Sequence, residues 1–362
     1  MGVKEIFNKI WAFLFLPKGK NFGLIVVPPT ETDYIANVRG DVITEIINES
    51  GNWQEYSPTE EAQNSVYFDS FACVSFWANN TVEHQLNFFI DTKQLSVEKV
   101  KWLEDNGYIE NGKVNLSDRF LAKVSGTTRT GATVQSVCDA FRHFGAVPEK
   151  DWDYPRLQRT PVFDWDDYYA PIPQHLLNKG IEFLKVIGGH PDPKDAIKYE
   201  WVYGDFEKHL KQAPLGLTIP LCPGWNTGDV AVCGLTKGTH EVTLQFIHPD
   251  QTYEIFDSYP PFYKVLAPGY PVPWVMKLLF IINKKSMYQL VRKQDDEDTY
   301  YLDEKIDAQG NKVVTRVHIG DSETFDAYQG KLWGDRSTIR IITPAEFNAI
   351  KKSGVILKTN SL

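Results

Sequence analysis

The stretch 68–89, FDSFACVSFWANNTVEHQLNFF, constrains the fold of this chain more than any other. A short polar segment gives way at Cys73 to a helical pattern. Val74, Trp77, Val82, Leu86 and Phe89 then recur at steps near three and four, which predicts a helix with a buried face. A cysteine at a helix N-terminus feels the positive end of the helix dipole, which favours thiolate over thiol. Such a position suits a nucleophile. It equally suits a small apolar side chain packed into a core.

The bulk composition narrows the function classes. Of 362 residues, 42% are apolar and 23% charged, as in a globular protein, and 13% are aromatic, including ten Trp and seventeen Tyr. The net charge of −9 leaves no broad basic field to neutralise phosphates, which argues against a nucleic-acid partner. The four cysteines, Cys73, Cys138, Cys222 and Cys233, form no CxxC pair and no metal-ligand spacing, so no metal or other cofactor is expected. Their scarcity fits a reducing compartment or a fold that does without disulfides, and whether Cys222 and Cys233 pair across a hairpin is not readable from spacing. The acidic run 295–298 lacks the glycine and oxygen-ligand spacing of a calcium loop and reads as a solvated loop.

No apolar run approaches the length of a membrane span. Residues 3–16, VKEIFNKIWAFLFL, lack the small-residue cleavage site of a signal peptide and end at Pro17 and Lys18. They read as an amphipathic helix that docks on the body of the protein or on a protein partner. A cytoplasmic or particle-associated location is the expectation.

Taken in order, the chain changes texture twice. Phe22 to Val27 reads as an extended segment stopped by Pro28 and Pro29, and residues 51–64 read as loop. Helices are predicted from Cys73, over about 96–106 with Ser96 as the cap, and after Gly131 with Gly145 as the stop. Residues 156–213 read as mainly helical. From Pro214 the runs LGLTIPL, VAVCGL, HEVTLQFI and TYEIFDSY are β-type, separated by Gly and Pro. Helices first and strands second indicate an α+β fold, a helical lobe against an antiparallel β lobe. After Asn283, MYQLVR, TYYLD and KVVTRVHIG are strand-like, with a turn at 307–311, and the final IRIITPAEFNAIKKSG reads as a strand, a helix start and a glycine stop. The division expected is an N-terminal helix and arm over 1–29, a main domain over 30–284 and a small β-rich module over 285–362.

A cysteine nucleophile needs a base, and the base needs a group to hold its ring. His240 opens the run HEVTLQFI, and seventeen residues later a second run ends in Asp257, Ser258 and Tyr259. If the two runs form an antiparallel hairpin about residues 248–249, His240 and Asp257 face each other near its open end.

These pieces together resemble the papain-like cysteine peptidases. The family's motifs correspond to Cys73-Val74-Ser75-Phe76, to Gly131 through Gly145 and on to Trp152-Asp153-Tyr154-Pro155, to Ala213-Pro214-Leu215, to Gly238-Thr239-His240-Glu241-Val242, and to Asp257-Ser258-Tyr259, over about residues 30–283. The likeness is to compact members of the kind associated with phages and uncultured bacteria. It implies a papain-like two-lobe fold and peptide-bond hydrolysis by Cys73, with His240 as base and Asp257 as its orienter. It also implies an oxyanion-stabilising Gln63, a cleft walled by Gly131, Trp225 and Tyr259, and a peptide or protein substrate. The chain departs from the family at three places. SFACV replaces CGSCW; Asp257 stands where most members have Asn; and Gln63 lies ten residues before the cysteine, not six, position 67 being Tyr. Only 72 residues precede Cys73, too few for the family's helical pro-domain plus an N-terminal arm. A body of the same shape with little or no catalysis, such as a virion component, is the alternative expectation.

Overall fold

The structure, a computed structural model, describes residues 23–29, 46–64, 68–152, 165–221, 225 and 239–282 in full, and residues 35–36 and the strand residues between 289 and 357 as backbone. The chain divides into two compact units, Met1–Asn283 and Lys284–Leu362.

In the first unit the helices are α1 (Cys73–Asp91), α2 (Val97–Asp105), α3 (Asp118–Val124), α4 (Val134–Phe144), α5 (Trp165–Tyr168), α6 (Gln174–Phe183) and α7 (Phe206–Leu210). The strands are β1 (Ile35–Ala36), β2 (Ile109–Glu110), β3 (Lys113–Val114), β4 (Ile197–Val202), β5 (Leu215–Pro220), β6 (Thr239–Ile247), β7 (Tyr253–Phe256), β8 (Tyr263–Leu266) and β9 (Trp274–Phe280). Seven of the strands form one sheet in the order β1-β4-β9-β5-β6-β7-β8, antiparallel except for the β1–β4 pair. The fold is therefore α+β, as the order of the textures predicts.

Helix α1 is the axis of this unit. From Cys73 to Leu86 every side chain is buried, not one face alone. Three of its buried polar side chains are tied to neighbouring elements, whereas Ser75 Oγ and Thr81 Oγ1 are buried without a hydrogen-bond partner. Asn79 donates to Asp118 at 2.9 Å, and the Leu116 N–H donates to Glu83 at 2.6 Å. Gln85 bonds β9 in both directions, donating to the Leu278 carbonyl at 3.0 Å and accepting from the Phe280 N–H at 2.9 Å. Trp77 lies against Gly216 of β5, where a Cβ would fall 2.4 Å from the indole. The absent side chain is what lets helix and sheet meet.

Caps fall where the sequence places them. Ser96 accepts from the Lys99 N–H at the start of α2, and Gly145 follows α4 with φ +65°. Three readings need correction. Residues 197–202, read as helical, form β4, a strand between β1 and β9; IKYEWV mixes the two periods and its full-length pairing with β9 decides. The β6–β7 register is shifted by two to three residues, with Thr243 opposite Phe256 and Ile247 opposite Tyr253. The cause is a bulge between Leu244 and Phe246 together with a longer turn, in which Gln251 adopts φ +65°. In the second unit, 351–357, read as a helix reaching a glycine stop, is strand β14.

That second unit holds one five-stranded sheet, β13-β10-β11-β12-β14, made of β10 (Gln289–Lys293), β11 (Thr299–Ile306), β12 (Lys312–Ile319), β13 (Arg340–Ile342) and β14 (Lys351–Leu357). The helix expected at 3–16, the run VAVCGL, Cys222, Cys233 and the acidic run 295–298 lie outside the described residues.

The contact between α1 and β5 yields a test. Gly216→Ala is expected to destabilise the protein by about 1–3 kcal/mol through overpacking against Trp77. Pairing it with Trp77→Phe should recover part of that loss in denaturant melts.

Candidate active site

Cys73 is the first residue of α1 and is fully buried. Ala72 occupies the N-cap and offers no side-chain acceptor, so no cap competes for the first-turn N–H groups that a helix start leaves unpaired. The preceding Phe71 has φ +54°, and its N–H donates to Asp69 Oδ1 at 2.9 Å, which turns the chain sharply into the helix. The Glu241 backbone N–H reaches the Cys73 sulfur and favours its thiolate. Burial outweighs this and, with Glu241, Asp69 and Asp257 nearby, pushes the thiol well above its ordinary value. The thiolate expected from the helix dipole alone is thus not the resting form of this closed site.

His240, on β6 one residue before that N–H, is also fully buried. Its Nε2 lies 2.6 Å from Asp257 Oδ1. Burial would raise the Asp257 carboxyl, but His240 and Lys264 outweigh it and hold the group at about 2. An ionised carboxylate only accepts, so Nε2 carries a proton and donates to it. Nδ1, where the lone pair of a neutral ring would then lie, is buried and makes no hydrogen bond. Asp257 reaches His240 without being its cross-strand partner, because it follows β7 and its N–H is fixed by the Phe262 carbonyl at 2.8 Å. The pairing expected from a simple hairpin register is met through the loop that leaves the strand.

Gln63 arrives by a folded loop. Asn64 and Asp69 form an antiparallel bridge, which takes up the extra residues between Gln63 and the helix. The Gln63 N–H donates to the Ser258 carbonyl at 3.0 Å, and Ser258 Oγ donates to Gln63 Oε1 at 2.7 Å. Gln63 Nε2 donates to the Tyr259 hydroxyl at 2.7 Å and to Asp69 Oδ1 at 3.1 Å, so both amide hydrogens are engaged.

Tyr259 and Trp225 pack around the imidazole. Their ring centroids lie 5.1 and 6.3 Å from that of His240. Trp225 Nε1 also donates to Asp257 Oδ2 at 2.8 Å. No local pattern singles out Lys264, a lysine on the ordinary strand β8. It is buried and bonds the same carboxylate oxygen at 2.6 Å.

Gly131 lies beside the chain's own N-terminal segment. With φ +94°, it leaves no room for a Cβ, which would fall 2.0 Å from the Gly23 carbonyl oxygen. The Ala132 N–H donates to that oxygen at 3.0 Å, and the Ile25 N–H donates to the Ala132 carbonyl at 2.8 Å. Gly23 also abuts the Phe71 carbonyl, and Thr239 Oγ1 donates to the Leu24 carbonyl at 3.2 Å. An extended segment therefore touches residues two before Cys73 and one before His240. A narrow gap beside it is lined by Ile25, Val134, Trp201, Thr218 and Trp274.

Among the described residues, no group of three His, Cys, Asp or Glu side chains converges as a metal site requires, and no helix is long and apolar enough to cross a membrane.

No protein-family model matches the chain, and no curated protein sequence matches it. Among solved structures it is similar to xylellain, a cysteine protease from Xylella fastidiosa, with 12% identity, a TM-score of 0.46, and coverage of 74% of this chain and 99% of that one.

Two predictions follow from the buried carboxylate. Asp257→Ala leaves the Lys264 ammonium without its counter-charge and is expected to cost about 3–5 kcal/mol of stability in denaturant unfolding. Because the folded Asp257 carboxyl lies at about 2 against an ordinary 3.8, its contribution is complete above about pH 5 and is lost progressively as pH falls to about 1. Acid titration of stability should show this loss in the wild type and not in Asp257→Asn.

Proposed function

We propose that this chain is a cysteine-type peptidase that hydrolyses peptide bonds through Cys73, His240 and Asp257. The observation that carries the reading is the His240 ring: Nε2 is fixed on a carboxylate, Nδ1 is left with a free lone pair in a buried site, and the next backbone N–H reaches the Cys73 sulfur.

The chemistry runs as a proton transfer coupled to attack. Burial disfavours a lone thiolate, so the Cys73 proton moves to His240 Nδ1 as the sulfur meets an amide carbonyl, and Asp257 stabilises the resulting imidazolium. The oxyanion rests on the Cys73 N–H at the head of α1. Gln63 would add a donor by turning one N–H away from Tyr259 or Asp69. His240 then returns the proton to the leaving amine, and water clears the acyl-enzyme. The substrate class is an extended peptide. The chain's own segment from Gly23 to Ile25 already lies extended along Ala132, with Ile25 at a gap lined by apolar side chains.

A second reading, a body of this type with little or no catalysis, has two observations in its favour. Cys73 is fully buried, and both amide hydrogens of Gln63 are spent within the protein.

Turnover decides between the two. Incubation with a mixed peptide library, read by mass spectrometry, is expected to give new peptide termini and, on acid quench, an acyl adduct on Cys73. Both should vanish in Cys73→Ala and fall by at least ~10³-fold in His240→Ala. Cleavage that persists in Cys73→Ala contradicts the proposal, and no cleavage by the wild type favours the second reading. A further variant tests the seated segment: in Gly23→Val the side chain collides with the Phe71 carbonyl. Alkylation of Cys73 is then expected to quicken on the order of tenfold, the factor that about 1.4 kcal/mol of lost seating energy carries.

A further inference from the structure

The Asp257 carboxylate is shared. Oδ1 accepts from His240 Nε2 at 2.6 Å, while Oδ2 accepts from Trp225 Nε1 at 2.8 Å and from Lys264 Nζ at 2.6 Å. Lys264 is buried on β8, and its ammonium has three hydrogens and three acceptors. Besides Asp257 these are the Tyr259 carbonyl at 2.5 Å and the Pro261 carbonyl at 2.6 Å. Its Nζ also lies 5.4 Å from the centroid of the Trp225 ring. Every donor has an acceptor, so the lysine is built into the site and does not visit it from solvent.

This arrangement explains why an aspartate stands at 257. An asparagine could accept from His240 through its carbonyl oxygen, but it would turn an N–H towards the N–H groups of both Trp225 and Lys264. A carboxylate satisfies all three donors. Left alone, a buried carboxylate would act on the imidazolium as a full counter-charge and raise the basicity of His240.

We propose that Lys264 is a positioning residue that pins Asp257 by one oxygen and cancels its charge, so that the pair offers His240 a fixed acceptor without net charge. The inference rests on the reading of His240 as the base. Among the described residues, the other ionisable groups facing the site are Cys73 on α1, Asp69 on the loop before it, Glu241 on β6 and Tyr259 after β7. Burial pushes Glu241 up to about 8, so it adds little negative charge near neutrality. Asp69 is bonded to Gln63, the Phe71 N–H and the Tyr259 hydroxyl, which leaves Asp257 and Lys264 as the ion pair hydrogen-bonded to the imidazole.

The test is the titration of His240, followed by NMR of the ring in the full chain, with the pH profile of Cys73 alkylation alongside. Lys264→Met is expected to raise the His240 midpoint and the alkaline limb of alkylation by about one pH unit, the shift an unshielded neighbouring charge produces. Lys264→Arg, which keeps the charge, should titrate as the wild type does. Asp257→Asn, which leaves the lysine, should lower the midpoint, and Lys264→Met/Asp257→Asn should bring it back up. That second comparison stands even if Lys264→Met alone fails to fold. Identical midpoints in Asp257→Asn and the double variant, or a Lys264→Met protein that loses stability without moving the midpoint, would overturn the proposal. The NMR readout needs no peptidase activity, so failure here is distinct from failure to find a cleaved peptide.

Discussion

The site depends on one carboxylate. Asp257 sits behind His240 with no exposure to water, and three N–H donors, one of them cationic, hold it ionised. That ionisation fixes the imidazole tautomer. The tautomer leaves Nδ1 with its lone pair, and β6 carries the ring beside the head of α1. A protonated or displaced Asp257 would free the ring to exchange its two nitrogens, and the relation between His240 and Cys73 would be lost. The cost of burying such a carboxylate is offset by Lys264, whose own ammonium is saturated by the loop that Asp257 begins. Charge, loop shape and ring orientation are therefore one arrangement.

Helix α1 carries Cys73 at its head, and β6 carries His240 one residue before the Glu241 N–H that lies at the Cys73 sulfur. Three of its long polar side chains, Asn79, Glu83 and Gln85, are bonded to the backbone and side chains around the buried helix. Gln85 joins it to β9, Asn79 and Glu83 to the segment 116–118, and Gly216 opens the sheet to Trp77. The polar run from Asn79 to Gln85 is thus part of the core.

Much of this was legible in the sequence. The start of α1 at Cys73, the caps at Ser96 and Gly145, and the α+β order follow from spacing and cap chemistry, which are local signals. The nearness of His240 and Asp257 was legible as well, though by a register that the bulge after Leu244 and the turn at Gln251 change. What was not legible is non-local. Nothing in IKYEWV reveals that it will be flanked by strands. Nothing around Lys264 distinguishes a buried counter-ion from a solvated lysine on a strand. Gln63 could be guessed near the site, but the bridge between Asn64 and Asp69 that brings it there, and the acceptors that occupy its amide, come from tertiary packing.

The most direct measurement is the rate of alkylation of Cys73 by iodoacetamide between pH 5 and 9, read residue by residue by mass spectrometry with Cys138, a second buried free thiol, as internal reference. Cys73 is expected to react faster than Cys138 below pH 8, and this advantage is expected to disappear in His240→Ala, because the imidazole takes up the thiol proton. Equal and slow labelling of the two cysteines in the wild type, unchanged by His240→Ala, would show that the two side chains do not act as a pair and would contradict the account at its centre.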